Sequence, residues 1–151
     1  MAGSSVNQAT LTATTKAGGA FAVTDTPPAR GKYSYVANYA GAGLYAWSTA
    51  SHAVQVTALK PALKLAASAG SVKPGRSVTM TATLGATHGN RTVLIYAQPK
   101  GGAKKLIKRA TVNSKGQLSI GYVMRVNTTF SVAFLGDAWY GPATVTAVVK
   151  A

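Results

Sequence analysis

The only two acidic residues of the chain, Asp25 and Asp137, are the first candidates for chemistry, because carboxylates act as general acids, bases and metal ligands. Cleavage of a glycosidic bond needs two carboxylates that flank it. These two aspartates stand in corresponding turn regions of two related segments, so we do not expect them to converge on one substrate. The chain also contains no cysteine, which excludes disulfides and thiolate metal sites.

The two histidines are weak candidates for catalysis. His52 opens a predicted strand, and His88 lies in a THGN turn. The chain contains serine, histidine and aspartate residues from which a catalytic triad could be assembled, but no nucleophile-elbow sequence supports one. Metal sites need clustered ligands, and no such cluster is visible in the sequence. We therefore predict that the protein is not an enzyme and holds neither a metal nor a small-molecule cofactor.

A group of basic side chains in the C-terminal half is the strongest functional candidate. We name it the basic cluster, and its members are Arg91, Lys100, Lys104, Lys105, Lys108, Arg109 and Lys115. A strand over 104–112 would divide the four central cations between its two faces, Lys104 with Lys108 and Lys105 with Arg109. Such a surface suits a phosphate-bearing polymer such as teichoic acid or nucleic acid, bound in a salt-dependent way. The alternative is that these side chains protect an edge strand from pairing.

Trp47 and Trp139 form a second candidate site. Each lies near the turn that precedes the last strand of a repeated segment. Loops at the end of a β-sandwich often carry recognition, and an indole beside a tyrosine can stack on a sugar ring. Such binding would survive high salt, because it does not depend on charge. The alternative is that these rings close the end of the core.

The elements that position these residues are predicted to be β-strands. Val, Ala, Thr, Tyr and Gly dominate a chain that is 47% apolar and contains no glutamate, and branched residues suit a pleated sheet. The formal charge of +14 favours polyanionic partners. Residues 1–20 are polar and small, so no signal peptide is visible in this chain, and no apolar run is long enough to span a membrane.

Residues 61–151 contain seven short segments in which apolar and polar residues alternate. The first four are PALKLAASAG, GRSVTMTATL, RTVLIYAQPK and KKLIKRATVN. Glycine-containing turns at Gly75, Gly89 and Gly101 separate them. Seven strands in a segment of this length are typical of an immunoglobulin-like β-sandwich.

The N-terminal part repeats the last part of this pattern. Residues 14–56 align with residues 111–149, and in each segment an alternating strand ends at a glycine that is followed four residues later by a tyrosine. These pairs are Gly41 with Tyr45 and Gly136 with Tyr140. Repetition on this scale indicates stacked modules.

The repeat divides the chain near Lys60. Residues 1–60 are predicted to form a partial module of about four strands, and residues 61–151 a complete sandwich. The predicted strands of the partial module cover residues 6–15, 20–25, 33–40 and 53–59. Such a unit leaves an apolar face and a sheet edge uncovered, so we expect a protein partner or a second copy to cover them.

Three segments, AGGAFAVTDTPP, GKYSYVANYAG and FSVAFLGDAWYGPA, carry a family resemblance. They are similar to the immunoglobulin-like repeats of actinobacterial surface and secreted proteins, which implies an extracellular or cell-surface location. The first unit departs from that pattern by having Ala42 where the repeat has aspartate, and the second by replacing Thr-Pro-Pro with MRVNTTF.

The segment GKYSYVA also resembles strand F of immunoglobulin domains, with Tyr35 in place of the cysteine. This likeness implies that Tyr33 forms a tyrosine corner, in which its hydroxyl group bonds to nearby backbone. We assign structural roles to Tyr33, Tyr45 and Tyr140.

The sequence thus predicts an all-β protein of tandem immunoglobulin-like modules, of which the first is incomplete. One functional hypothesis is a structural or adhesion module of a surface or secreted protein that contacts an anionic polymer. A second is a structural subunit of a virion or fibre whose N-terminal unit is completed by another chain through strand addition. A weaker third is a carbohydrate-binding module.

Overall fold

The structure is a computed structural model that describes residues 9–151. It is all-β, and among these residues there is no helix that could cross a membrane. The strands are β1 Gly31–Tyr39, β2 Ser48–Val56, β3 Leu63–Ala67, β4 Ser77–Leu84, β5 Thr92–Pro99, β6 Lys105–Thr111, β7 Gln117–Val123, β8 Thr128–Phe134 and β9 Ala143–Val149.

Strands β3 to β9 form a sandwich of two antiparallel sheets. One sheet has three strands in the order β3-β4-β7, and the other has four in the order β6-β5-β8-β9. All seven strands that the alternation predicts after Lys60 are therefore present. The predicted turns are also confirmed, because Gly75, Gly89 and Gly101 adopt positive φ angles of 84°, 96° and 76°.

The core lies between the two sheets and follows the period-two alternation of the strands. Its fully buried side chains include Met80 and Leu84 from the first sheet and Ile95, Phe130 and Phe134 from the second. At one side of the sandwich, residues 70–72 exchange backbone hydrogen bonds of 3.0 Å with residue 150, which ties the β3 side to the end of β9.

The N-terminal unit contains one β-hairpin, in which β1 pairs with β2 over nine residues. Among the described residues, none before Pro61 is buried. Both outer edges of this two-stranded sheet lack a neighbouring strand in the described part of the chain. An isolated hairpin is marginally stable in water, so its contacts with the sandwich matter for its stability.

The prediction of about four N-terminal strands is wrong. Residues 6–8 of the first predicted strand lie outside the described residues, while residues 9–15 and 20–25 form no strand. A strand needs a hydrogen-bonding neighbour. The counterpart of residues 20–25 in the sandwich is β7, which pairs with β4, and the N-terminal unit has no counterpart of β4 among its described residues.

Candidate functional site

Strand β6, which carries the centre of the basic cluster, is an edge strand of the four-stranded sheet. Its pairing with β5 shifts by one residue, because Ile95 lies opposite Lys108 whereas Tyr96 lies opposite Leu106. Ile107 is thus the extra residue of a β-bulge. The edge of the sheet bends at this point, beside the basic side chains.

The bulge changes the predicted division of the cations between the two faces. Residues that pair directly in an antiparallel sheet project to the same side. Lys105 lies opposite Ala97 and therefore belongs to the core-facing side, whereas Arg109 lies opposite Leu94. The prediction that Lys105 shares a face with Arg109 is wrong, since it assumed uninterrupted alternation. The prediction that Lys104 shares a face with Lys108 is wrong for the same reason, because Lys108 lies opposite Ile95 on the core-facing side and Lys104 lies over the Tyr96 ring on the outer side.

Cations lie on both sides of this edge and at both of its ends. The Lys104 ammonium group lies 4.6 Å from the centroid of the Tyr96 ring, a cation–π contact that orients it over the outer face. Lys100 lies in the turn before β6, and Lys115 lies in the turn after it. The strand itself has seven residues, so the charged edge is about 20 Å long.

Arg91 differs from the other members of the basic cluster. Its side chain is half-buried, whereas the other six are exposed. Its guanidinium group donates to the Asn113 carbonyl oxygen over 3.0 Å, and the Val112 amide donates to the Arg91 carbonyl oxygen over 3.0 Å. Arg91 therefore fixes the turn after β6 as well as adding charge to it.

The two carboxylates bind groups other than the basic cluster. Asp25 accepts a hydrogen bond of 2.8 Å from the Tyr35 hydroxyl group. This bond, together with the negative charge of Asp25, raises the pKa of Tyr35 above its ordinary value. The bond also connects the irregular segment over 20–25 to strand β1.

Asp137 organises the loop between β8 and β9. Its carboxylate accepts hydrogen bonds from the amides of Trp139 at 3.0 Å, Tyr140 at 2.8 Å and His88 at 2.6 Å. Burial raises the pKa of Asp137, but these backbone amides outweigh it and hold the pKa below its ordinary value. The charged form of Asp137 therefore stabilises the folded conformation of this loop.

Trp139 lies at the junction between the hairpin and the sandwich. One face of its indole is covered by the His88 ring, with centroids 4.0 Å apart and planes 4° from parallel. Its indole N–H donates to the Pro28 carbonyl oxygen over 2.7 Å. Trp47 lies in the β1–β2 loop of the other unit and is 73% exposed, compared with 43% for Trp139. Of the two candidates for sugar stacking, Trp47 has the more accessible ring.

The three structural tyrosines have different environments. The Tyr33 hydroxyl group donates to the Ala29 carbonyl oxygen over 2.8 Å, which is the kind of backbone hydrogen bond that the resemblance implies. Tyr140 is half-buried and packs against the core. Tyr45 holds its turn through its backbone amide and carbonyl, bonded to Ala42 at 3.0 and 3.1 Å, while 77% of the residue is exposed.

Three residues that sequence reasoning did not single out join the two units. The Arg30 amide donates to the Ala138 carbonyl oxygen over 2.9 Å, and the Leu59 amide donates to the Trp139 carbonyl oxygen over 2.8 Å. Pro28 accepts the indole hydrogen bond described above. Pro28 and Leu59 use backbone groups, which any residue possesses, so residue types gave no signal for them. Arg30 also uses its side chain, since its guanidinium group donates to the Tyr140 carbonyl oxygen over 3.4 Å.

Asp137 and His88 lie together in the sandwich, whereas Asp25 and His52 lie in the N-terminal unit. Within residues 9–151 there is no group of three or more His, Cys, Asp and Glu side chains that could hold a metal ion. His52 lies in β2 of the hairpin, whereas His88 lies in the β4–β5 connection of the sandwich.

Comparison with known proteins gives a likeness of fold. No family model matches the chain, and no curated protein matches it. Two solved structures of superoxide reductase (neelaredoxin) from Ignicoccus hospitalis, one of them of a variant, are similar to it with TM-scores of 0.50 and 0.51. Both are 11% identical, and they cover 60% and 58% of this chain and 78% of their own. At this identity the likeness shows the β-fold alone.

Proposed function

We propose that the protein is a non-enzymatic structural or adhesion module that contacts a phosphate-bearing polymer through the basic cluster. The observation that carries the proposal is the position of these cations along one bent sheet edge, where six of the seven side chains are exposed. Asp25 and Asp137 accept their hydrogen bonds from a tyrosine hydroxyl group and from backbone amides, and not from the cations of the basic cluster.

The physical basis of this binding is the release of counterions from the polymer. Each phosphate that a Lys or Arg neutralises frees condensed ions, so affinity falls steeply with salt and depends little on sequence. The bulge and the charges on both faces of β6 also oppose pairing with another strand. Protection of the edge and polymer contact therefore use the same side chains and are compatible.

A charge-matched pair of variants tests the proposal. The cluster variant carries Lys104→Glu, Lys105→Glu, Lys108→Glu and Arg109→Glu. The control variant carries Lys16→Glu, Lys32→Glu, Lys60→Glu and Lys64→Glu, all at exposed positions. Four reversals take the formal charge from +14 to +6 in both, so only the position of the charges differs.

The measurement is retention on immobilised poly(glycerol phosphate) teichoic acid and on immobilised duplex DNA. We expect the cluster variant to lose retention and the control variant to keep most of it. Equal losses in both would show that net charge alone is responsible. Unchanged retention of the cluster variant would show that the basic cluster is not the binding site.

We further propose that the two units are tandem immunoglobulin-like modules of a surface or secreted protein, the first of them incomplete. The seven strands of the sandwich, divided three and four between its sheets, support this assignment. So does the correspondence between the β1–β2 and β8–β9 hairpins, each of which ends its first strand at an aromatic residue and then turns at a glycine of positive φ, Gly41 or Gly136.

A second candidate function is that of a structural subunit of a virion or fibre. The observation in its favour is the exposed hairpin, whose two outer edges have no neighbouring strand in the described part of the chain. A strand from another chain could pair there by β-augmentation. Proline at an outward-facing amide of β1 or β2 would abolish such assembly, and assembly that survives proline on both edges would exclude this function.

A further inference from the structure

The two units are related by a single shift in residue number. A shift of 95 residues moves Gly41 onto Gly136, Tyr45 onto Tyr140, and Ser48 at the start of β2 onto Ala143 at the start of β9. The two glycines have φ angles of 89° and 88°. In each turn the amide after the glycine donates to the tyrosine carbonyl oxygen, over 3.1 Å and 2.9 Å. The β1–β2 loop, residues 40–47, is therefore a structural copy of the β8–β9 loop, residues 135–142.

The two copies differ in what contacts them. Residues 28–30 and Leu59 of the N-terminal unit hold the β8–β9 loop through the hydrogen bonds described above. By contrast, the apolar side chains of the β1–β2 loop are open to solvent, with Leu44, Tyr45 and Trp47 exposed by 103%, 77% and 73%. The β1–β2 loop contains no charged residue, so it can approach a basic surface without charge repulsion.

The same shift identifies a surface that could receive this loop. It moves residues 27–33 onto residues 122–128, and Arg30 onto Arg125. At the N-terminal site a cavity of about 230 Å³ has Trp139 of the docked loop in its wall. At the C-terminal site there is a larger open groove of about 430 Å³. Its lining residues are Pro99, Tyr122, Val123, Arg125, Val126 and Thr128.

We propose that copies of this chain associate head to tail, with the β1–β2 loop of one copy docked in the 122–128 groove of the next. The internal junction is the template for this contact. The counterpart of the Arg30–Ala138 backbone hydrogen bond joins the Arg125 amide of one copy to the Gly43 carbonyl oxygen of the other. Leu44 and Trp47 supply the apolar area that fills the groove.

The symmetry of this contact determines the kind of assembly. The loop and the groove are different surfaces, so the contact is heterologous and leaves one free surface of each kind on every dimer. Association then continues into chains and does not stop at a symmetric dimer. The docking loop spans only eight residues, 40–47, so the contact between copies is small. We expect it to be weak and dependent on concentration.

Two single substitutions test the two halves of the contact separately. Leu44→Asp places a charge in the loop, and Val126→Asp places one in the groove, where Val126 is 44% exposed. The control is Val148→Asp, which makes the same change on the outer side of β9 at a residue 60% exposed. Sedimentation velocity is measured over a concentration series at about 1 M sodium chloride, which screens the repulsion between basic chains.

We expect the mass of the wild type and of Val148→Asp to rise with concentration beyond that of a dimer. Each of the other variants alone should associate at least about tenfold more weakly, as expected for a charge placed at the centre of an interface. An equimolar mixture of Leu44→Asp and Val126→Asp should form a one-to-one dimer that grows no further. This rescue also shows that both variants are folded.

Three results would overturn the proposal. They are a wild type that stays monomeric throughout, self-association that persists in both single variants, and a mixture that remains monomeric. Association that is lost on blocking the hairpin edges but kept in both single variants would assign assembly to strand pairing. No polymer is present in this experiment, so its outcome is independent of the polymer-binding proposal.

Discussion

Removal of the four central cations of the basic cluster should change the salt dependence of DNA binding by a calculable amount. Neutralising one phosphate of duplex DNA contributes about −0.9 to the slope of log affinity against log salt. If all seven cluster residues make such contacts, the slope is about −6. With the four central cations replaced by glutamine, three remain and the slope falls to about −3.

These slopes predict clearly different affinities. Raising the salt from about 50 to about 200 mM should weaken the wild type by nearly four powers of ten, and the glutamine variant by less than two. The assay is fluorescence anisotropy of a labelled duplex of mixed sequence, titrated at several salt concentrations. The control carries glutamine at Lys16, Lys32, Lys60 and Lys64 and has the same formal charge of +10, four below the wild-type +14.

If DNA binds at the basic cluster, the two glutamine variants must differ in the slope of log affinity against log salt. We expect the control to keep a slope close to that of the wild type, because its substitutions lie away from β6. Equal slopes in the two glutamine variants would mean that DNA binding depends on the net charge of the protein and not on the cations along β6. A wild-type slope near zero would refute counterion release altogether and would favour the glycan-stacking alternative.

The remaining predictions concern the turns and the two titrating groups. Gly136→Ala should lower the free energy of unfolding in urea by about 1–3 kcal/mol, because φ is 88° and a Cβ atom would lie 2.8 Å from a carbonyl oxygen of the same turn. Gly121→Ala has open space around the added methyl group and should lower the free energy of unfolding much less. Because its pKa is lowered on folding, Asp137 should stabilise the protein fully above about pH 4, and this contribution should be lost as the pH falls through the folded-state pKa. The wild type and Asp137→Asn should therefore differ less in free energy of unfolding as the pH falls. A difference that does not shrink in acid would contradict this. Tyr35 should titrate above pH 10.0 by ultraviolet absorbance, and Asp25→Asn should return its pKa towards the ordinary value; an unchanged titration would exclude the hydrogen bond.

The strands of the sandwich could be predicted from sequence because each one has a buried and a solvated side. In β4, for example, Val78, Met80 and Ala82 are completely buried and alternate with polar residues. In the N-terminal unit the same reasoning failed. Phe21 and Val23 alternate correctly, but they are 51% and 48% exposed and belong to no strand. Alternation indicates a strand only where the fold supplies a pairing neighbour.

The candidate site was predictable in its composition but not in its geometry. The density of cations between Lys100 and Lys115 identified the cluster, since charge is a property of residue types. The bulge at Ile107 depends on how β6 registers against β5, which no local pattern encodes. The Arg30 amide and the backbone of Leu59 bind the β8–β9 loop through groups that every residue has, and these contacts left no trace in residue types.

Polymer binding by the basic cluster is tested most directly by a map of the residues that respond to a phosphate-bearing polymer. The measurement is a titration of the isotope-labelled chain with short poly(glycerol phosphate), followed by amide chemical shifts. The shifts should concentrate in β6 and in the turns that hold Lys100 and Lys115, and they should disappear at high salt. Shifts centred on Trp47 or on the edges of the β1–β2 hairpin, or shifts that survive high salt, would contradict binding at the basic cluster.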